Sequence, residues 1–300
     1  VHGVFLIDKP AGPTSHDVVL RVRRALGTDA AGHTGTLDPA ATGLLAVCVG
    51  EALKLQRWLT EGDKAYEATV AFGAATDTED ATGTVTSRGD PAGLDEAALR
   101  GALTRLTGEI EQLPPMYSAV RVGGRRLHEA ARAGEAVERS PRRVVVHALE
   151  LHGLGPAGAD GLREARLVVR CGKGTYVRTL AADLGAAVGV PAHLRALRRT
   201  AAGQFTVAQA VPLDEVEALG RSKAGREALR ARLVPAADAL PFPAVEVDEP
   251  RARAVSQGKF ITASGPDGLR RVLGPGGVLV AVAELRAGQL RPVRVLANRP

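Results

Sequence analysis

The stretch from Gly32 to Leu45, Gly-His-Thr-Gly-Thr-Leu-Asp-Pro-Ala-Ala-Thr-Gly-Leu-Leu, sets one carboxylate, Asp38, among three glycines and a proline. Glycine permits backbone conformations and close approaches that side chains forbid. Pro39 pushes the residue before it toward an extended conformation. An acid is thereby held on a shaped loop that runs into an apolar strand, Leu44 to Val49. A carboxylate so placed can act as a nucleophile, as a general acid or base, or as a metal ligand. Asp-Pro is also a common turn dipeptide, and on these residues alone a structural aspartate is the more economical reading. The run lacks the Gly-Lys-Ser/Thr ending of a phosphate loop.

Further residues with chemical potential lie downstream. The chain has only three tyrosines, Tyr66, Tyr117 and Tyr176. Pro114 to Arg143 holds Gly123-Gly124 and seven arginines, Arg121, Arg125, Arg126, Arg132, Arg139, Arg142 and Arg143. A hydrophobic core cannot take up such a run. It reads as a protruding basic segment with a short helix near Leu127 to Ala133, suited to phosphate contact. Arg178 falls near the start of a helix expected from Thr175 onward, where positive charge opposes the helix macrodipole. An anionic partner supplies a reason for it. A carboxylate, aromatic rings, an arginine and a basic arm suit an enzyme acting on an extruded nucleobase.

The elements that must position these residues follow from patterning. Gly3 to Asp8 is a short apolar strand, and Ser15 reads as the N-cap of a helix striped by Val18, Val19, Val22 and Leu26 and ended by Gly27. Glu51 to Leu59 reads as a helix, and Lys64 to Gly73 alternates as a strand. The acidic run Thr76 to Gly83 does not fit an EF-hand and reads as a solvated loop. Leu94 to Leu106 is a helix; Val144 to Leu154 and Arg163 to Cys171 form a hairpin. Residues 214–232 are helical, Pro241-Phe242-Pro243 is a linker, and the chain from Val245 is strand-rich with a turn at Gly274-Pro275-Gly276-Gly277.

The 300 residues suffice for about two domains, and a 45% hydrophobic content supports a core. The formal charge is +6, carried mostly by arginine, since only six lysines occur. That excess is mild, and it is compatible with a polyanionic partner. Cys48 and Cys171 sit in apolar runs and read as buried free thiols. No zinc-type cluster, membrane-length apolar run or signal-peptide layout is seen, and a cytoplasmic protein is expected.

The chain resembles bacterial tRNA pseudouridine synthases of the TruB type. The resemblance rests on ordered motifs: Asp8-Lys9-Pro10-Ala11-Gly12, His33 to Pro39, Lys64-x-Tyr66, Pro115-Met116-Tyr117-Ser118-Ala119, Lys173 to Thr179, and Leu197-Arg198-Arg199-Thr200. It covers nearly the whole chain. Pro13 stands where methionine is common, and His128 where the arm often carries tyrosine. The resemblance implies an α+β fold, with a mixed, largely antiparallel central sheet flanked by helices. It implies a catalytic domain over residues 1–240, with the basic insertion at about 114–143, and a β-rich PUA-like RNA-binding domain over 244–300.

It also implies isomerisation of uridine to pseudouridine at position 55 in the TΨC loop of tRNA, by base flipping, without cofactor or metal. Asp38 is then the nucleophile, Arg178 its charge partner, and Tyr66 the ring that stacks on the flipped base. Tyr176 and Leu197 wall the pocket, His33 helps open the loop, and Lys9 supports the loop of Tyr66. Arg121, Arg125, Arg126, Arg142 and Arg143 meet the RNA backbone. The expected state is a monomer with tRNA as partner and no obligate protein partner or membrane. Three alternatives stand beside this: a guide-RNA-dependent synthase, a tRNA-folding factor, and a sugar hydrolase. The hydrolase needs a second carboxylate, and nothing in the sequence brings Asp77, Glu79 or Asp80 to Asp38.

Overall fold

A computed structural model describes residues 1–118, 121–122, 125–126 and 137–296, with backbone alone for 121–122 and 125–126. The first strand, β1 (Gly3–Lys9), leads to α1 (Ser15–Leu26). The cap of α1 is Thr14, not Ser15: Thr14 and Asp17 bond reciprocally in a capping box. Gly27 ends the helix as expected. Then come β2 (Ala31–His33), β3 (Thr42–Val49) and α2 (Gln56–Glu61). The single helix expected over Glu51 to Leu59 opens as a 3-10 turn, Gly50–Leu55, before becoming α-helical.

Next are β4 (Lys64–Phe72), β5 (Ala74–Thr76), β6 (Val85–Arg88), α3 (Glu96–Arg105) and β7 (Gly108–Gln112). The short strands β8 (Arg121–Val122) and β9 (Arg125–Arg126) pair with each other. They are followed by β10 (Arg142–Ala157), β11 (Arg163–Cys171), α4 (Val177–Val188), β12 (Ala192–Ala202), β13 (Phe205–Thr206) and β14 (Val211–Pro212). The helix expected over 214–232 is two, α5 (Leu213–Leu219) and α6 (Lys223–Ala231). Ser222 starts the second by accepting from the Gly225 amide at 3.0 Å. The chain ends with β15 (Ala244–Glu246), α7 (Glu249–Ser256), β16 (Ile261–Thr262), β17 (Gly268–Leu273), β18 (Leu279–Arg286) and β19 (Gln289–Val295). Helix α7 was not foreseen, although Asp248 as cap and Pro250 in the first turn are an ordinary start signal.

The described chain packs as two compact units. One comprises Val1–Pro39, Leu44–Glu61 and Gln204–Pro300. There β14, β1 and β3 lie side by side, β1 parallel to β14 through Ile7 and Val211, with β2 antiparallel on β3. Phe5, Ile7, Val18, Val22, Leu26, Leu44 and Leu45 are buried in its core. The strands β15, β17, β18, β19 and β16 form a second sheet in that order. It closes over its own core, including Val255, Val272, Ala281, Leu285 and Leu290. Cys48 is buried here, and burial pushes its thiol up to about 12.

The other unit comprises Ala40–Gly43 and Gly62–Gly203. Its sheet runs β12, β4, β11, β10, β7, antiparallel throughout. Helices α3 and α4 pack on one another, α3 against β10 and α4 against β12. Cys171 is buried at the end of β11, its thiol raised to about 11 by burial. The first residues of β3 pair parallel with β12, Thr42 with Arg198 and Gly43 with Arg199. Gly43 sits at φ 97, and a Cβ there would lie 2.3 Å from the Arg199 carbonyl oxygen. Only glycine allows that approach. The substitution Gly43→Ala is expected to cost at least about 2 kcal/mol, seen as a Tm lowered by several degrees in thermal denaturation.

Candidate active site

Asp38 is held by its neighbours. Ser15 Oγ donates to the Leu37 carbonyl at 3.0 Å and accepts from the Leu37 amide at 2.8 Å. On the other side, the Pro39 carbonyl accepts from Lys9 Nζ at 3.0 Å and from the Gly12 amide at 2.9 Å. Lys9 is fully buried and also donates to the Pro10 carbonyl at 2.9 Å. Through these two carbonyls the Lys9 ammonium braces the Asp38 loop. Gly12 and Ser15 complete that brace, a role the sequence does not announce for either. Asp38 itself is half-buried. His33 ends β2, where its carbonyl accepts from Gln56 Nε2 at 2.7 Å.

The second unit holds Tyr66, Tyr176, Arg178 and Leu197. In register, Tyr66 pairs with Arg199 and Ala68 with Leu197, so these side chains share a face. That face is the buried one, on which α4 packs. Val169 of β11 also pairs with Tyr66, and β11 then leads through Gly172 and Gly174 to Tyr176, the N-cap of α4. Gln112 clamps Tyr176 from the edge of the sheet. Its Oε1 accepts from the Tyr176 amide at 2.9 Å, and its Nε2 donates to the Tyr176 carbonyl at 3.2 Å. A cleft of about 600 Å³ is lined by Thr42, Glu67, Ala68, Thr69, Leu197 and Arg198 among others.

Arg178 is 5% exposed. Its Nη1 donates to the Thr78 carbonyl at 3.1 Å and its Nη2 to the Tyr117 carbonyl at 2.9 Å; Nε lies 3.9 Å from Asp80 Oδ2. The acidic run Thr76–Gly83 is therefore not the solvated loop expected of it. Asp80 is half-buried, and its Oδ1 accepts from the hydroxyls of Thr78 and Thr82 at 2.8 and 2.6 Å, winding the loop around itself. Glu79 accepts from the Thr179 hydroxyl at 2.7 Å. Burial raises the Glu79 carboxyl against the pull of that bond and of Arg178 and Arg139.

Asp183 lies one helical turn beyond Thr179. Burial first, and the charge of Glu79 second, raise it to about 6. A carboxyl raised on folding takes up its proton more readily in the folded state, so folded stability falls as pH rises through about 6. Asp183→Asn removes this penalty. Its Tm relative to the parent is expected to improve between pH 5 and pH 8, checked by thermal melts across that range.

Of the arginines assigned to RNA, Arg142 and Arg143 are exposed at the start of β10. Arg121, Arg125 and Arg126 are described in backbone only, as β8 and β9. The expected helix near Leu127 to Ala133, with His128 and Arg132, lies outside the described residues. Arg139 donates to the Pro114 carbonyl at 2.9 Å.

Residues 23–177 match the TruB family pseudouridylate synthase N-terminal domain. The chain belongs to the TruB family of pseudouridylate synthases. Residues 178–241 match the tRNA pseudouridylate synthase B C-terminal domain, and 242–297 the C-terminal domain of tRNA pseudouridine synthase II. A tRNA pseudouridine synthase B of Thermobifida fusca (strain YX) is 45% identical over 302 residues, covering 99% of each chain. One of Symbiobacterium thermophilum is 49% identical over 259 residues, 86% of this chain and 82% of that one. Among solved structures, the fold matches a chain of a Cbf5-Nop10-Gar1 complex with TM-score 0.72 and 26% identity, over 98% and 84% of the two chains. It also matches a chain of an H/ACA ribonucleoprotein bound to a substrate RNA containing 2'-deoxyuridine, with TM-score 0.71 and 24% identity over 99% and 86%. As a member of the TruB family the protein is a pseudouridine synthase, an isomerase, with the expected α+β fold and β-rich C-terminal part. No described helix is long and apolar enough to cross a membrane.

Proposed function

We propose that this synthase converts uridine to pseudouridine at position 55 in the TΨC loop of tRNA, with Asp38 as nucleophile. In that isomerisation the bond from ribose C1' to uracil N1 breaks and a bond from C1' to C5 forms. C5 gives up its proton and N1 gains one. An aspartate with an ordinary pKa near 3.9 is already ionised at neutral pH and needs no general base. It needs a cation that stays charged away from water, and Arg178 is that partner in this reading. The observation that carries it is a guanidinium almost wholly buried and spread over two backbone carbonyls, two residues beyond Tyr176 at the start of α4.

Tyr66 stacks on the extruded base, and Tyr176 and Leu197 exclude water while the base is detached. His33 helps open the loop. Arg142 and Arg143, with Arg121, Arg125 and Arg126, meet phosphates and offset the few kcal/mol that extrusion costs. The C-terminal sheet from about residue 244 acts as a separate RNA-binding domain. The protein works in the cytoplasm as a monomer, without a cofactor. The test is a bare TΨC stem-loop carrying tritium at C5 of the target uridine. Release of tritium by the purified protein alone is expected. No release without added guide RNA or partner proteins would favour a guide-dependent synthase instead.

A further inference from the structure

Helix α4 begins without the charges that helices ordinarily collect at that end. Its N-cap, Tyr176, makes no side-chain cap bond, and its first turn holds no acid. Arg178 instead places a cation there, against a helix end that already behaves as about half a positive charge. The missing anion arrives from 100 residues away, as Glu79, whose Oε2 accepts from the hydroxyl of Thr179. Glu79 occupies the left-handed region at φ 64, uncommon for a residue with a side chain. Its backbone is tied there: the Glu79 amide donates to the Thr76 carbonyl at 3.2 Å, and the Leu194 amide donates to the Glu79 carbonyl at 3.0 Å. The preceding carbonyl, that of Thr78, accepts from Arg178. Consecutive loop residues 78 and 79 therefore hold consecutive helix residues 178 and 179.

We propose that Glu79 is a positioning residue for pseudouridine formation. Through Thr179 it supplies the anion that the first turn of α4 lacks, and so fixes where the Arg178 guanidinium stands. The inference rests on the reading that Arg178 serves the reaction. The charges facing Glu79 are Arg178 and Arg139, which favour its carboxylate, and Asp80 and Asp183, which oppose it. The arrangement is balanced rather than merely attractive, so loss of the Glu79 charge leaves Arg178 facing the helix end with less compensation.

The test uses the full chain on uridine-containing tRNA, with the variants Glu79→Gln, Thr179→Val, their combination, and Thr179→Ser. Glu79→Gln and Thr179→Val are each expected to lower kcat about tenfold, with KM within about twofold and little change in Tm. The double variant should be no slower than the worse single one, because both break one link. Thr179→Ser, which keeps the hydroxyl, should restore the parental rate. A Glu79→Gln enzyme with parental kcat overturns the inference, as does a loss of activity that merely tracks a fall in Tm. If the parent itself forms no pseudouridine, the proposed function fails first, and this inference with it.

Discussion

Replacing Asp38 by asparagine is expected to abolish pseudouridine formation, by at least about 10⁴-fold in single-turnover rate, while tRNA binding stays within a few-fold of the parent. The amide has the size and shape of the carboxylate but carries no charge and is no nucleophile. The loop should tolerate it. The flanking residues are fixed through their backbone, Leu37 by Ser15 and Pro39 by Lys9 and Gly12, and none of those bonds uses the Asp38 side chain. Thermal stability should therefore change little. Binding measured by filter retention or fluorescence anisotropy, beside tritium release, separates loss of chemistry from loss of grip. A variant that still makes product at the parental rate would remove the nucleophile assignment. An inactive variant that binds normally would also dispose of a purely RNA-folding role as the reason for Asp38.

Much of this loop was legible in the sequence because its constraints are local. Pro39 and Gly43 announce a shaped backbone, and Gly43 is needed for contact with Arg199. Arg178 stood out for an equally local reason: a cation at a helix start is electrostatically misplaced. What stayed hidden depends on residues far apart in the chain. Gln112 clamps Tyr176 across 64 residues, and the Thr78 carbonyl meets Arg178 across 100. No periodicity reports such pairs. Two misreadings have plainer causes. Ser15 looked like a cap, but Thr14 followed three residues later by Asp17 is the better box, which releases Ser15 to hold Leu37. The acidic run looked solvated because acids usually are, yet Asp80 is satisfied by its own loop and Glu79 by a helix.

Replacing Arg178 by lysine is expected to slow the reaction by about 10²–10³-fold, with tRNA affinity nearly unchanged and the chain folded. Charge is conserved, so the test isolates geometry. The guanidinium reaches the Thr78 and Tyr117 carbonyls at once, at 3.1 and 2.9 Å, from two different nitrogens. A lysine has a single nitrogen at the end of a flexible stem, and it cannot occupy both positions. One buried carbonyl is then left short of a donor, at a cost of about 1–3 kcal/mol. The cation settles where the remaining carbonyl and Asp80 draw it, and a displacement of about 1 Å at a reacting centre can alone cost 10²-fold. Arg178→Met removes the charge as well and should be slower still. If lysine supports the parental rate, the fork over the two carbonyls is a structural device, and the reaction draws only on positive charge at that place. If lysine is slow and methionine no slower, the carbonyl fork alone matters and Arg178 is not the charge partner of Asp38. The graded order, arginine well above lysine and lysine above methionine, is the result that ties catalysis to both the charge and its placement.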